Sequence, residues 1–144
     1  MGTAAGGHTK PSRAGPMATW SGALALSVGG VLGVNARYWL GAWIGTWAGP
    51  RLPWGTLAVN VSGSFAIGFA ATALARWLPD PRARLFVLTG FLGGYTTFSS
   101  LALEALTLWG RGDRGPAIGY MAGSMAAGFV AVALGVAAAG GPRG

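Results

Sequence analysis

The chain has 144 residues, 52% hydrophobic and only 9% charged, with no cysteine and a formal net charge of +7. Soluble domains carry about 25% charged residues, so this composition does not fit a water-soluble globule. The missing cysteines exclude disulfides and cysteine-ligated metals. The basic residues are scattered between long apolar runs, which directs the positive charge toward anionic lipid and away from nucleic acid.

Residues 1–18 read as a disordered tail. Beyond it, 23 uncharged residues separate Arg13 from Arg37, 24 separate Arg51 from Arg76, 19 separate Arg84 from Glu104, and 28 separate Arg114 from Arg143. A spanning helix needs about 20 apolar residues. The intervals therefore predict an all-α integral membrane protein with four transmembrane helices, near 20–40, 54–77, 84–109 and 116–139. The first is too long for a signal peptide, and no small-residue cleavage site follows it. Trp20, Trp39, Trp43, Trp47, Trp54, Trp77 and Trp109 cluster near the segment ends, where indoles prefer the headgroup level. Short connections punctuated by proline leave a single domain over 19–140.

Along the first helix, Gly29 and Gly33 offer a small-residue face for close packing in lipid, and Arg37 is read as snorkelling to the interface. On the second, Thr56, Asn60, Ser64 and Gly68 form one stripe at four-residue spacing. Asn60 falls near mid-membrane, where an unpaired amide is costly, so it either bonds a neighbouring helix or lines a wet path. In the third helix, Gly93-Gly94-Tyr95-Thr96-Thr97-Phe98-Ser99-Ser100 interrupts a greasy run. Paired glycines weaken a helix interior by about 1 kcal/mol each, and each backbone group left unpaired in lipid costs several kcal/mol. Such a break persists only when buried in protein or lining an ion path. Glu104 follows it by one to two turns and needs a partner or water. On the fourth helix Tyr120, Ser124 and Gly128 form a second polar stripe, and Gly119 and Gly123 a further small-residue pair. No nucleophile–base set, phosphate loop or zinc spacing appears, so the chain reads as an ion-handling protein and not an enzyme.

Three segments taken together, Gly29-Gly30-Val31-Leu32-Gly33-Val34-Asn35-Ala36-Arg37, Gly55-Thr56-Leu57-Ala58-Val59-Asn60-Val61-Ser62-Gly63-Ser64-Phe65 and Gly90-Phe91-Leu92-Gly93-Gly94-Tyr95-Thr96-Thr97-Phe98-Ser99, resemble the small fluoride channels called Fluc or CrcB. The resemblance runs from about Gly29 to Leu134. It implies an antiparallel, dual-topology dimer in the cell inner membrane, with two narrow pores that export cytosolic fluoride passively. It implies a structural sodium ion at the dimer centre, held by the backbone carbonyls of Gly93 and Thr96. Asn60, Phe98, Tyr120 and Ser124 then match the pore lining, with Thr97 and Ser99 as hydroxyl donors. Fluoride, membrane lipid and a second subunit are the implied partners.

Two positions depart from that pattern. Leu101 stands where a second phenylalanine is expected, and Gly128 where a serine is usual. They raise an alternative, that this chain is the accessory half of a heterodimeric channel with a fixed orientation. Charge agrees in sign: Lys10, Arg13, Arg76, Arg82, Arg84 and Arg143 share one side, against Arg51, Arg111 and Arg114 on the other, which places the termini in the cytoplasm. A small multidrug/proton antiporter shares the length and helix count, but it needs a carboxylate in the first helix, and residues 20–40 hold none.

Overall fold

The computed structural model describes residues 20–141. The expected tail, with Lys10 and Arg13, and the C-terminal Arg143 lie outside the described residues. Within them the chain is helical throughout: α1 (Trp20–Ala48), α2 (Trp54–Trp77), α3 (Pro81–Arg84), a π-helix (Leu85–Leu92), α4 (Gly93–Tyr95), α5 (Phe98–Gly110) and α6 (Arg114–Ala138). Three stretches are long and apolar enough to cross a membrane: Trp54–Trp77, Pro81–Gly110 and Arg114–Ala138. The first helix is not among them, because Asn35, Arg37 and the tryptophans of its second half dilute its aliphatic content.

That first helix also runs eight residues past its expected end at 40. Nothing between Trp39 and Ala48 stops it. The stop is Gly49, at φ 75°, a left-handed C-terminal residue that glycine adopts freely, followed by Pro50. Arg37 is consequently an interior residue of a 29-residue helix and not a terminal one. The third span starts three residues earlier than expected, because Asp80 caps α3: its carboxylate accepts from the Arg82 N–H at 3.0 Å, with Pro81 in the first turn.

Two helix pairs organise the bundle. In one, α1 crosses the π-helix backbone to backbone. A Cβ on Gly90 would come within 2.9 Å of the Leu26 carbonyl oxygen, and one on Gly33 would fall on the Phe91 carbonyl. Only glycine permits that approach. In the other, α2 lies against α6, where a Cβ on Gly68 or Gly135 would strike the Val132 or Phe65 carbonyl. Arg76 ties the ends of this pair, its Nη1 donating to Ala139 O at 3.0 Å and its Nη2 to Gly140 O at 2.9 Å. Leu101, Ala105 and Leu108 of α5 close a core with Ala117 and Tyr120 of α6. The Gly119–Gly123 pair takes no part in this packing, since nothing lies within 4 Å of a Cβ built on either.

Candidate ion pathway

The interruption in the third span is two residues long. Thr96 (φ −81°, ψ 156°) and Thr97 (φ −152°, ψ 111°) are extended between α4 and α5. In an unbroken helix each N–H closes onto the carbonyl four residues back, so Thr97 would bond Gly93 and Ser100 would bond Thr96. Both donors are diverted. The Thr97 N–H donates to Asn60 Oδ1 at 2.8 Å, and the Ser100 N–H donates to Thr97 Oγ1 at 3.2 Å. Asn60 completes a two-way exchange, its Nδ2 donating to Thr97 O at 3.0 Å. The Gly93 and Thr96 carbonyls thereby lose their ladder donors. The Thr96 side chain turns back to Leu92 O at 3.0 Å and leaves its own carbonyl alone.

Two concavities flank this break. One is a cavity of about 540 Å³ lined by Arg37, Thr56, Thr97, Ser100 and Glu104, among others. Here Glu104 is satisfied by hydroxyls on both oxygens: Thr56 Oγ1 donates to Oε1 at 2.7 Å and Tyr120 Oη to Oε2 at 2.6 Å. Hydrogen bonds to a charged acceptor are about twice as strong as neutral ones, and this pair links α2, α5 and α6 through one carboxylate. The second is a groove of about 400 Å³ whose lining includes Asn60, Ser64, Thr97, Phe98, Ser124 and Gly128. Phe98 is 66% exposed there. Ser124 Oγ is buried without a hydrogen-bond partner, the one such side-chain atom among the described residues. Buried polar groups are almost always paired, so this hydroxyl is an unusual unpaired donor set in the wall of the groove.

The positions expected from sequence do not all converge. Asn60, Thr97, Phe98 and Ser124 share the groove. Tyr120 does not line it: its ring belongs to the α5–α6 core and its hydroxyl serves Glu104. Ser99 is exposed and turned away, reaching only Thr97 Oγ1 at 3.3 Å. Leu101 is buried, joining the core while also lining the groove, and a Cβ on Gly128 in the same lining would meet Ser64 Oγ at 3.3 Å. The stripe on α2 divides, with Thr56 facing the cavity, Asn60 and Ser64 the groove, and Gly68 the α6 backbone. Two contacts escaped the sequence reading. One is the Thr56–Glu104–Tyr120 cluster. The other is the bond between the Ser62 and Tyr95 hydroxyls at 2.9 Å. A threonine directly ahead of an apolar helical run is a recognisable N-cap signal, and it would have found the role of Thr97.

Comparison with known proteins fits this architecture. Residues 24–136 match the family described as CrcB-like protein, Camphor Resistance (CrcB). A protein of Nitrobacter winogradskyi named fluoride-specific ion channel FluC is 44% identical over 118 residues, 81% of this chain and 94% of that one. Proteins of the same name from Rhizobium meliloti and Rhodospirillum centenum are 44% and 48% identical, over 79% and 70% of this chain and 92% and 81% of theirs. A match of this extent leaves no room for a chance likeness in three short motifs: the chain belongs to the CrcB/FluC family.

Proposed function

We propose that this chain is a subunit of a fluoride channel in the cell inner membrane, its four helical spans carrying cytosolic fluoride out passively. The observation that carries the reading is the groove at the break, where the unpartnered Ser124 hydroxyl lies near the exposed Phe98 ring. A hydroxyl donates a hydrogen bond, and an aromatic edge carries partial positive charge. Neither is a full cation, so an anion is attracted without being trapped, as conduction requires. The membrane potential, about 2.3 kcal/mol per charge per 100 mV, supplies the drive. The names of the relatives support fluoride as the cargo.

The reading includes a structural sodium ion and an antiparallel partner. Gly93 and Thr96 fit the ion: their carbonyls are hard oxygen donors released from the helix ladder, and that of Gly93 belongs to the C-terminal end of a half-helix, whose dipole favours a cation. One chain brings two such oxygens, and a second copy in the opposite orientation brings a matching pair. When bound, the ion supplies a fixed positive charge at the subunit junction. Asn60 keeps the Gly93 oxygen available by holding the Thr97 N–H, and the Thr97 hydroxyl does the same for Thr96 by holding the Ser100 N–H.

Leu101 and Gly128 favour a second reading, the accessory half of a heterodimer, because a buried leucine supplies no ring and a bare glycine no hydroxyl at those two positions of the groove. Charge in the described body does not set an orientation. Arg76, Arg82 and Arg84 with Asp80 lie at one end, and Arg51, Arg111 and Arg114 with Asp113 at the other, so three arginines less one aspartate leaves +2 at each. The bias toward one orientation therefore rests on Lys10, Arg13 and Arg143. The antiporter reading finds no support, since α1 is free of acids to its end at Ala48.

Purified protein in fluoride-loaded liposomes, alone and with a paired chain of the same family, tests the proposal. Release faster than from protein-free liposomes is expected. If neither preparation releases fluoride above that background, the proposal is wrong. Release by the pair but not by the chain alone selects the accessory reading.

A further inference from the structure

On their outer side α5 and α6 leave an apolar groove of about 510 Å³, lined by Ala102, Leu106, Trp109, Ile118, Met121 and Met125 among others, with Met125 separating its inner end from the groove at the break. On α5 it extends from Trp109 down to Ala102, seven residues and about 10 Å of helix rise. On α6 the lining runs from Ala117 to Met125, eight residues and about 12 Å. One leaflet contributes about 15 Å, half of the roughly 30 Å hydrocarbon core. The groove therefore begins at one membrane face and ends near the midplane. A packed helix of a second subunit needs a seam through the whole thickness, whereas one acyl chain needs a slot of this depth.

The mouth is basic. The Arg114 guanidinium lies 5.3 Å from the centroid of the Trp109 ring, which itself forms the top of the groove. Arg111 is exposed on the adjoining turn. Asp113 is also there, so the mouth carries a net single positive charge, and its carboxylate makes no cap bond to the first turn of α6.

We infer that this groove seats one anionic phospholipid, with an acyl chain between α5 and α6 and the phosphate at Arg114 and Arg111. Trp109 marks the boundary between the two, its ring against the chain and the cation above it. Met121 and Met125 suit such a ligand, because an unbranched thioether side chain adapts to a mobile neighbour.

The test is lipid retention by the full-length protein in detergent, read by native mass spectrometry. Phosphatidylglycerol is the probe, and phosphatidylcholine with the same acyl chains is the control. The unmodified chain should hold the anionic lipid preferentially. Replacing both Arg111 and Arg114 with glutamine should erase that preference, at about fivefold per arginine. Ala122→Phe, which fills the groove, should reduce retention of both lipids at least fivefold. Ala122→Leu is the milder version should the larger residue impair folding, and gel filtration reports integrity. Equal retention of the two lipids by the unmodified chain overturns the inference. So does a folded Ala122→Leu protein that keeps its lipid. Splitting of the oligomer by either substitution, with lipid retention intact, overturns it in favour of a second copy in the groove. None of these readouts depends on fluoride conduction.

Discussion

Asn60→Leu separates what holds the fold together from what holds the break open. Leucine approximates the shape of asparagine but offers neither of the two hydrogen bonds to Thr97. A buried group left unpaired costs about 1–3 kcal/mol, and an ordinary bond contributes about 1 kcal/mol net. Neither Thr97 group is stranded here. Its carbonyl, at the N-cap, retains the first bond of α5. Its N–H has an acceptor one turn back, the Gly93 carbonyl, once Asn60 is gone. The expected loss of stability is therefore small, about 1–2 kcal/mol, and the chain should still fold. The functional loss should be large, because closing that bond consumes one of the two oxygens proposed for sodium. Melting of the unmodified protein in detergent should rise when sodium replaces a bulky organic cation, since a ligand that binds only the folded form stabilises it. Asn60→Leu should melt a few degrees lower, show no sodium effect and release fluoride from liposomes far more slowly. A variant with an intact sodium response and full flux would refute the link between the Asn60–Thr97 exchange and the ion site.

Other substitutions probe the remaining parts. Phe98→Ile should slow fluoride release roughly two- to tenfold, matching about 0.5–1.5 kcal/mol of ring-specific interaction, while gel filtration shows unchanged assembly; equal loss of both would make Phe98 a packing residue. Tyr120→Phe removes one of the two donors to Glu104 and should lower stability by about 1.5–3 kcal/mol. Adding Thr56→Val should then be non-additive, because both donors serve one carboxylate. Gly33→Ala should destabilise by about 1–3 kcal/mol or more, since its Cβ meets the Phe91 backbone, whereas Gly45→Ala, in open space on the same helix, should be neutral or raise the melting temperature.

Three of the four expected spans and the place of the break were legible because both rest on local chemistry: charge-free length for one, paired glycines followed by hydroxyls for the other. Asn60 was legible as a costly amide, but its partner was not. The two residues are 37 apart, and only the α2 crossing brings them together. Ser99 looked equivalent to Thr97 as a donor, yet it lies two residues on, about 200° round the helix, and that rotation takes it out of the groove. The π-helix left no trace in composition. Leu85–Leu92 is as apolar as any α-helical span, and what coincides with its wider register is the close crossing by Gly29 and Gly33, which lie more than 50 residues earlier in the chain. The length of α1 was missed for the opposite reason. Its tryptophans mark an interface, and a helix need not end where it meets one.

On the reading proposed above, in which α1 also crosses the bilayer, that extra length changes how the subunit rides there. At 29 residues α1 is about 43 Å long, against about 36 Å for α2, and hydrocarbon occupies only about 30 Å. Trp39, Trp43 and Trp47 lie one turn apart and all face outward, so they form successive rungs at about 6 Å intervals. When the membrane thickens or thins, a neighbouring rung takes over at the headgroup level, and the protein keeps an indole anchor without tilting the helices that frame the break.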